Sequence, residues 1–234
     1  MSALFSGFRP EAIHFLVELA LNNDRAWFQP RKAEYARLLK EPLEALSVAL
    51  GERFAARGIP LRADAGSPFR IYRDTRFSKD KSPYKRHVAA SFPWEPPGAP
   101  SAPASRSVSV HHVGGYFHFE PDEFFVGGGM WHPERPYLEA WRTAVDRDPA
   151  RVHAAVDDPA FVGEFGEVDG DRLKRVPPGY AADHPDAELL KLKDVVFGRR
   201  VTDDEALSPD LADILADSLA RAKPVFQLLA SLSP

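Results

Sequence analysis

Between Phe69 and Val126 the sequence breaks into short runs of β-branched and aromatic residues closed by Gly or Pro, and stretches with helical spacing stand on either side. That order restricts the fold more than any other feature. Strands gathered in the middle of a chain, with helices gathered at its ends, make an α+β architecture and not a series of βαβ units. The runs are Phe69 to Arg73, Arg86 to Phe92, Ser107 to His112, Tyr116 to Glu120 and Glu123 to Val126, with Gly114-Gly115 and Pro121-Asp122 as turn signals. The expected fold is a mostly antiparallel central sheet over about residues 69–130 with N-terminal and C-terminal helices packed against it.

Before the sheet, Ile13, Leu16, Val17, Ala20 and Leu21 share a helix face, and Tyr35, Leu38, Leu39, Leu43, Leu46 and Leu50 continue the spacing. Asn22-Asn23-Asp24 breaks the run and supplies a cap for the next helix, with Pro30 and Pro42 suited to first turns or kinks. After Gly127-Gly128-Gly129, Tyr137, Leu138, Trp141 and Val145 mark a helix. Short helices near 149–156, 159–165 and 186–193, short strands at 171–176 and 195–197, and a long helix over 203–229 complete the chain. Pro93 to Ser105 reads as an exposed loop.

With 234 residues, 44% of them hydrophobic, the chain can bury one substantial core, so a single domain is expected: helical over 1–60, sheet over 66–130, mainly helical over 131–234. Zero cysteines exclude disulfides, thiol catalysis and thiolate metal sites, leaving His, Asp and Glu as metal ligands. No apolar run is long enough for a membrane span and Met1 to Arg9 lacks the regions of a secretory signal, so a soluble cytoplasmic protein is the simplest reading. At pI near 6.1, affinity for nucleic acid would have to come from a local patch.

Such a patch exists. The segment from Arg70 to Arg86 holds Arg70, Arg73, Arg76, Lys79, Lys81, Lys85 and Arg86 against only Asp74 and Asp80, in a chain whose net charge is -4. Ile71, Tyr72, Phe77 and Tyr84 are interleaved with the charges, so the segment is partly buried and its cations are held in position. In extended backbone Arg70, Tyr72 and Asp74 face one way while Ile71 and Arg73 face the other. Arginine suits bidentate recognition of carboxylate or phosphate, and Asp74 is close enough to orient one of its neighbours. A second basic stretch around Lys174 and Arg175, with Lys191 and Lys193 beyond, would complete a two-sided clamp if folding brings the two together.

The pattern Arg-x-x-Arg-Asp-x-Arg-Phe-x-x-x-Lys-x-x-Tyr, carried by Arg70, Arg73, Asp74, Arg76, Phe77, Lys81 and Tyr84, resembles that of a bacterial family classified as domain of unknown function 2461. Asn22-Asn23, Trp27-Phe28, Gly127-Gly128-Gly129-Met130-Trp131, and Leu173-Lys174-Arg175 with Pro177 and Gly179 are similar to its other recurring segments, so the resemblance covers most of the chain. It implies no established reaction, substrate or cofactor.

Other constellations compete. His118-Phe119-Glu120 with a distal His184 has the outline of a non-haem metal triad, and alternation puts His118 and Glu120 on one face. Against it, residues 131–165 read as helices, where an oxygenase built on two β-sheets needs strands. Ordinary hydrogen-bonded histidines are the preferred reading, and no cofactor is predicted. Gly127-Gly128-Gly129, placed by pattern between a strand and a helix, reads as a close-packed turn, with a phosphate cradle as the alternative. The aromatic side chains of Trp27, Phe28, Trp131 and Trp141 are expected in the core.

The reading is a protein of unknown function with an anion-binding cleft for a phosphorylated or carboxylated small molecule, with no reaction assigned. Its ligand residues are Arg70, Arg73, Asp74, Arg76, Lys79, Lys81, Tyr84, Lys174 and Arg175. One alternative is a nucleic-acid contact surface using the same cations with Tyr72, Phe77 or Tyr84 as stacking platforms. The other is a structural or partner-binding module in which the motif is an internal ion-pair network.

Overall fold

A computed structural model describes residues 5–76, 78–95 and 113–232 of the protein. Helix α1 (Pro10–Leu21) ends at the Asn22-Asn23-Asp24 break, and the Asp24 carboxylate accepts the Trp27 amide at 2.9 Å, capping α2 (Arg25–Phe28). A 3-10 turn, α3 (Lys32–Tyr35) and a π-helical turn (Ala36–Lys40) carry the chain into α4 (Glu41–Ala56), with Pro42 in its first turn.

The sheet is antiparallel in the order β1 (Val88–Pro93), β2 (Gly114–Glu120), β3 (Glu123–Met130) and β4 (Val195–Arg200). Beyond β3 run α5 (Arg135–Arg147), α6 (Pro149–Val156), α7 (Pro159–Phe165) and α8 (Ala187–Lys191). After β4 come α9 (Asp203–Leu207), α10 (Leu211–Arg221) and α11 (Lys223–Ala230). The α+β expectation holds, with helices around a four-stranded antiparallel sheet. No helix among the described residues is long and apolar enough to cross a membrane.

Period-two alternation divides the sheet into two unlike faces. Val88, Ala90, Phe92, Phe117, Phe119, Phe124, Val126 and Phe197 are buried on one face. Phe8 packs there on Phe119 at 4.5 Å, Phe54 of α4 on Phe92, and Phe226 of α11 on Phe197. Burying each such ring contributes about 1.5–3 kcal/mol, so this face anchors the core shared with the helices. The other face carries Ser91, Tyr116, His118, Glu120 and Phe125, all partly exposed.

Several elements differ from expectation for reasons of non-local packing. Phe69 to Arg73 shows the expected alternation, with Ile71 buried and Arg70, Tyr72 and Asp74 exposed. It forms only isolated bridges, Pro68 to Ala90 and Tyr72 to Tyr84, and not a regular strand. Residues 171–176 likewise hold one bridge, Arg172 to Leu192. The long C-terminal helix is three helices, interrupted at Pro209 and at Ala222. The expected strand at 107–112 lies outside the described residues, as do Phe77 and most of the Pro-rich loop. Gly127-Gly128-Gly129 is neither turn nor cradle: it lies inside β3, paired to β2 on one side and β4 on the other, so ladder partners occupy its backbone groups. Gly129 there has φ of +120°, a conformation open to glycine. Trp141 is fully buried as expected, whereas Trp131 is exposed and lies against His132.

Candidate functional site

The cationic motif folds as an irregular antiparallel hairpin along the free edge of β1. The Phe69 amide donates to Ala89 O, the Lys85 amide to Ile71 O and the Arg73 amide to Pro83 O. At its base Tyr84 is buried, its ring stacked 4.1 Å from that of Phe28, and Asn23 clamps its backbone with two 3.0 Å hydrogen bonds. Tyr84 is therefore a core anchor and not a ligand-facing phenol.

The tip closes on itself. Arg73 donates to Asp80, to Ser82 Oγ at 2.6 Å and to the Ser82 carbonyl. Arg76 grips Asp74 with contacts of 2.6–3.2 Å, and Lys81 donates to the Thr75 carbonyl at 2.9 Å. The Arg76 hydrogen bonds hold the Asp74 carboxyl at about 2, and those from Ser82 and then Arg73 hold Asp80 well below the usual carboxylate range. Arg73, Arg76 and Lys81 are thus engaged with partners inside the hairpin. Lys79 is exposed at its tip.

Lys85 and Arg70, like Lys79 and Arg86, lie outside these pairs. Lys85 is half-buried with its ammonium 5.0 Å from the Phe69 ring centre, and burial, then nearby Arg70, push it below its ordinary value. Among the described residues neither Lys85 nor Arg70 has a carboxylate within ion-pair distance.

Lys174 and Arg175, both exposed, do not join them. Pro68 flanks β1 on the side away from β2, and Asp169 flanks β4 on the side away from β3. Five strand spacings of about 4.8 Å separate these flanking segments, about 24 Å across the sheet. The two basic stretches therefore lie along opposite edges, and the clamp does not form.

A different group assembles on the exposed face. The β1–β2 register sets Val88 opposite Phe119, which brings His87, one residue before β1, beside Glu120 and His118 of β2. His118 Nε2 is 3.1 Å and His87 Nδ1 3.6 Å from Glu120 Oε2, and the two imidazole rings lie 4.3 Å apart. One potential ligand atom from each of the three residues lies within 4.8 Å of the others. Two ligand atoms about 2.1 Å from a shared ion stand about 3.0–3.4 Å apart at octahedral to tetrahedral angles. The two contacts to Glu120 lie in or near that range, so a small closing of the three side chains brings the cluster to a chelating geometry.

Its electrostatics suit lone-pair donation. Side-chain exposures of 28% for His87, 14% for His118 and 29% for Glu120 leave the group sheltered but reachable. Burial, reinforced by His118 and opposed by Glu120, pushes His87 down to about 4, so its imidazole is neutral at pH 7; Lys85 and Arg86 act in the same direction as burial. The Tyr116 hydroxyl lies 2.9 Å from His118 Nδ1, which directs Nε2 at Glu120. Burial, with Glu120 and Glu123, pushes Tyr116 up to about 12, so it remains a phenol able to fix this ring. His184 is elsewhere, 3.7 Å from Asp146 of α5, and takes no part.

His118 and Glu120 were visible in the sequence as a same-face pair. His87 was not, because no spacing rule links it to β2; only the strand register does. The chain belongs to the family described as conserved hypothetical protein (DUF2461), which it matches over residues 11–228. No curated protein and no solved structure matches it.

Proposed function

We propose that this protein binds a divalent transition metal through His87, His118 and Glu120 and presents it on the exposed face of the sheet to a small molecule. The observation that carries the reading is the convergence of two imidazoles and one carboxylate within 4.8 Å. Two histidines and a carboxylate on one side of an ion leave its remaining positions open, the arrangement of sites that activate a coordinated substrate or water. With no thiolate in the sequence, the donor set suits zinc, iron, cobalt or manganese.

In the metal-free protein the Tyr116 hydroxyl donates to His118 Nδ1, and Nε2–H donates to Glu120. If a metal were held at Nε2, the single proton of the neutral imidazole would sit on Nδ1 instead of Nε2 and be donated to the Tyr116 oxygen, with Tyr116 still a phenol. Tyr116 thereby orients a metal ligand in both states.

Titration calorimetry with Co(II) and Zn(II), with metal analysis after dialysis, tests the proposal. The parent should take up one ion per chain. His118→Ala and Glu120→Gln should bind at least 100-fold more weakly, Tyr116→Phe about 10- to 100-fold more weakly, and His184→Ala like the parent. Equal uptake by the parent and His118→Ala, both folded by circular dichroism, would remove the reading.

A further inference from the structure

The exposed face is polarised around the three donors. Glu120 pairs across the β2–β3 turn with Glu123, so negative charge gathers at that end. On the other side the Phe69 ring lies 6.4 Å from that of Tyr116, and Lys85 sits over Phe69 at 5.0 Å. Tyr116 in turn touches His118. Lys85, whose charge acts on His87, therefore stands beside the donor cluster with no carboxylate within ion-pair distance among the described residues, and Arg70, which acts on both Lys85 and Asp74, lies near it.

A cation held next to a divalent ion repels it, and Arg70 near Lys85 adds to that repulsion. The arrangement is complete only if a further anion enters between them, since its charge offsets both the metal and the two side chains. We infer that the ion's open positions receive an oxyanion group, a carboxylate or phosphate of a small molecule, whose remaining charge is met by Lys85 and Arg70. This anion site, which rests on the metal centre proposed above, has a thermodynamic signature: metal and oxyanion strengthen each other's binding by the same factor. Lys85 supplies the anion's partner and is not itself a metal ligand.

The test measures Co(II) affinity from the visible absorption of the bound ion, in buffer alone and with inorganic phosphate, succinate or neutral acetamide, for the parent, Lys85→Met and Arg70→Gln. In the parent, phosphate or succinate should tighten Co(II) binding at least tenfold and alter the spectrum, and acetamide should do neither. Lys85→Met should bind Co(II) in buffer alone at least as tightly as the parent, because a repelling charge is gone, yet lose most of the oxyanion effect. Arg70→Gln should lose part of it. Whichever of phosphate and succinate gives the larger tightening identifies the favoured oxyanion.

Tight Co(II) binding with no response to either anion, or the same response in Lys85→Met, overturns the inference and leaves the metal centre standing. If Co(II) does not bind, the metal reading fails separately. The cation pair is then judged by the thermal midpoint of the metal-free protein in phosphate: a rise lost in Lys85→Met supports the anion site, and no rise overturns it.

Discussion

Gly128→Ala separates two roles for the triple glycine, because a methyl group there has nowhere to go. A Cβ built on Gly128 falls 2.7 and 2.8 Å from Cζ and Cε1 of Phe226 and 2.6 Å from the Gly114 carbonyl oxygen. Comfortable carbon contacts lie at about 3.5–4.0 Å, so the α11 ring must retreat from the sheet or β2 and β3 must part. Overpacking of this kind costs about 1–3 kcal/mol. Removing a glycine from extended backbone offsets about 0.5–1 kcal/mol of that by restricting the unfolded chain, which makes a net loss the more telling. The net cost is then up to about 2.5 kcal/mol, and at about 2–4 °C per kcal/mol for a chain of this size the midpoint should fall by up to about 10 °C. Phe226→Leu withdraws the two ring atoms but not the Gly114 oxygen. The double variant should therefore be less destabilised than the sum of the singles, by about 0.5–2 kcal/mol. Differential scanning calorimetry of the four proteins reads the cycle. Strict additivity, or a Gly128→Ala variant of parental stability that binds phosphate more weakly, would refute the packing argument and restore the cradle.

Two further outcomes follow from individual charges. Arg73→Ala should open the hairpin tip, seen as faster amide exchange over residues 74–82, while Co(II) affinity and its response to phosphate stay within twofold of the parent; loss of the phosphate response with no change in exchange would put Arg73 back in a ligand site. His153 is raised above its ordinary value by Asp157, then Asp186, so its stabilising pairs are fully formed below about pH 6.5 and lost as pH rises through the folded-state value. The midpoint of His153→Gln should lie furthest below the parent's near pH 6 and approach it by pH 8.5, and a gap that widens with pH would contradict this.

Features decided within one element could be read from the sequence. Helical spacing located α1 and α4, the Pro121-Asp122 turn located the β2–β3 hairpin, and period two placed His118 with Glu120 and separated Ile71 from Arg70 and Tyr72. Features decided between elements could not. Glycine disfavours strand, so Gly127-Gly128-Gly129 reads as a terminus until the helix partner that requires a bare backbone is known. Both basic stretches carry clear local signals, yet the strand order that sets them on opposite edges is absent from either. His87 has no signal of its own, since it becomes a candidate ligand only through a register fixed by buried neighbours such as Val88 and Phe119.

The cationic motif then has a division of labour that its charge count conceals. Arg73 with Asp80 and Ser82, Arg76 with Asp74, and Lys81 with the Thr75 carbonyl stiffen the tip. Tyr84, held by Asn23 and stacked on Phe28, fixes the base to the N-terminal helices. Between tip and base the chain is left with few alternatives, and it leads directly into Lys85, His87 and β1. A rigid mount matters there because a chelating site loses affinity when a ligand must first be ordered. On this account the motif acts mainly as the bracket that delivers His87 to a metal and Lys85, with Arg70, to the anion the metal binds. Weakening the bracket at Asn23 should therefore loosen Co(II) binding, although Asn23 touches neither ligand nor ion. Asn23→Ala is expected to bind more weakly than the parent while Arg73→Ala, at the far tip, does not. Parental affinity in both variants would mean that the hairpin and the metal centre are independent.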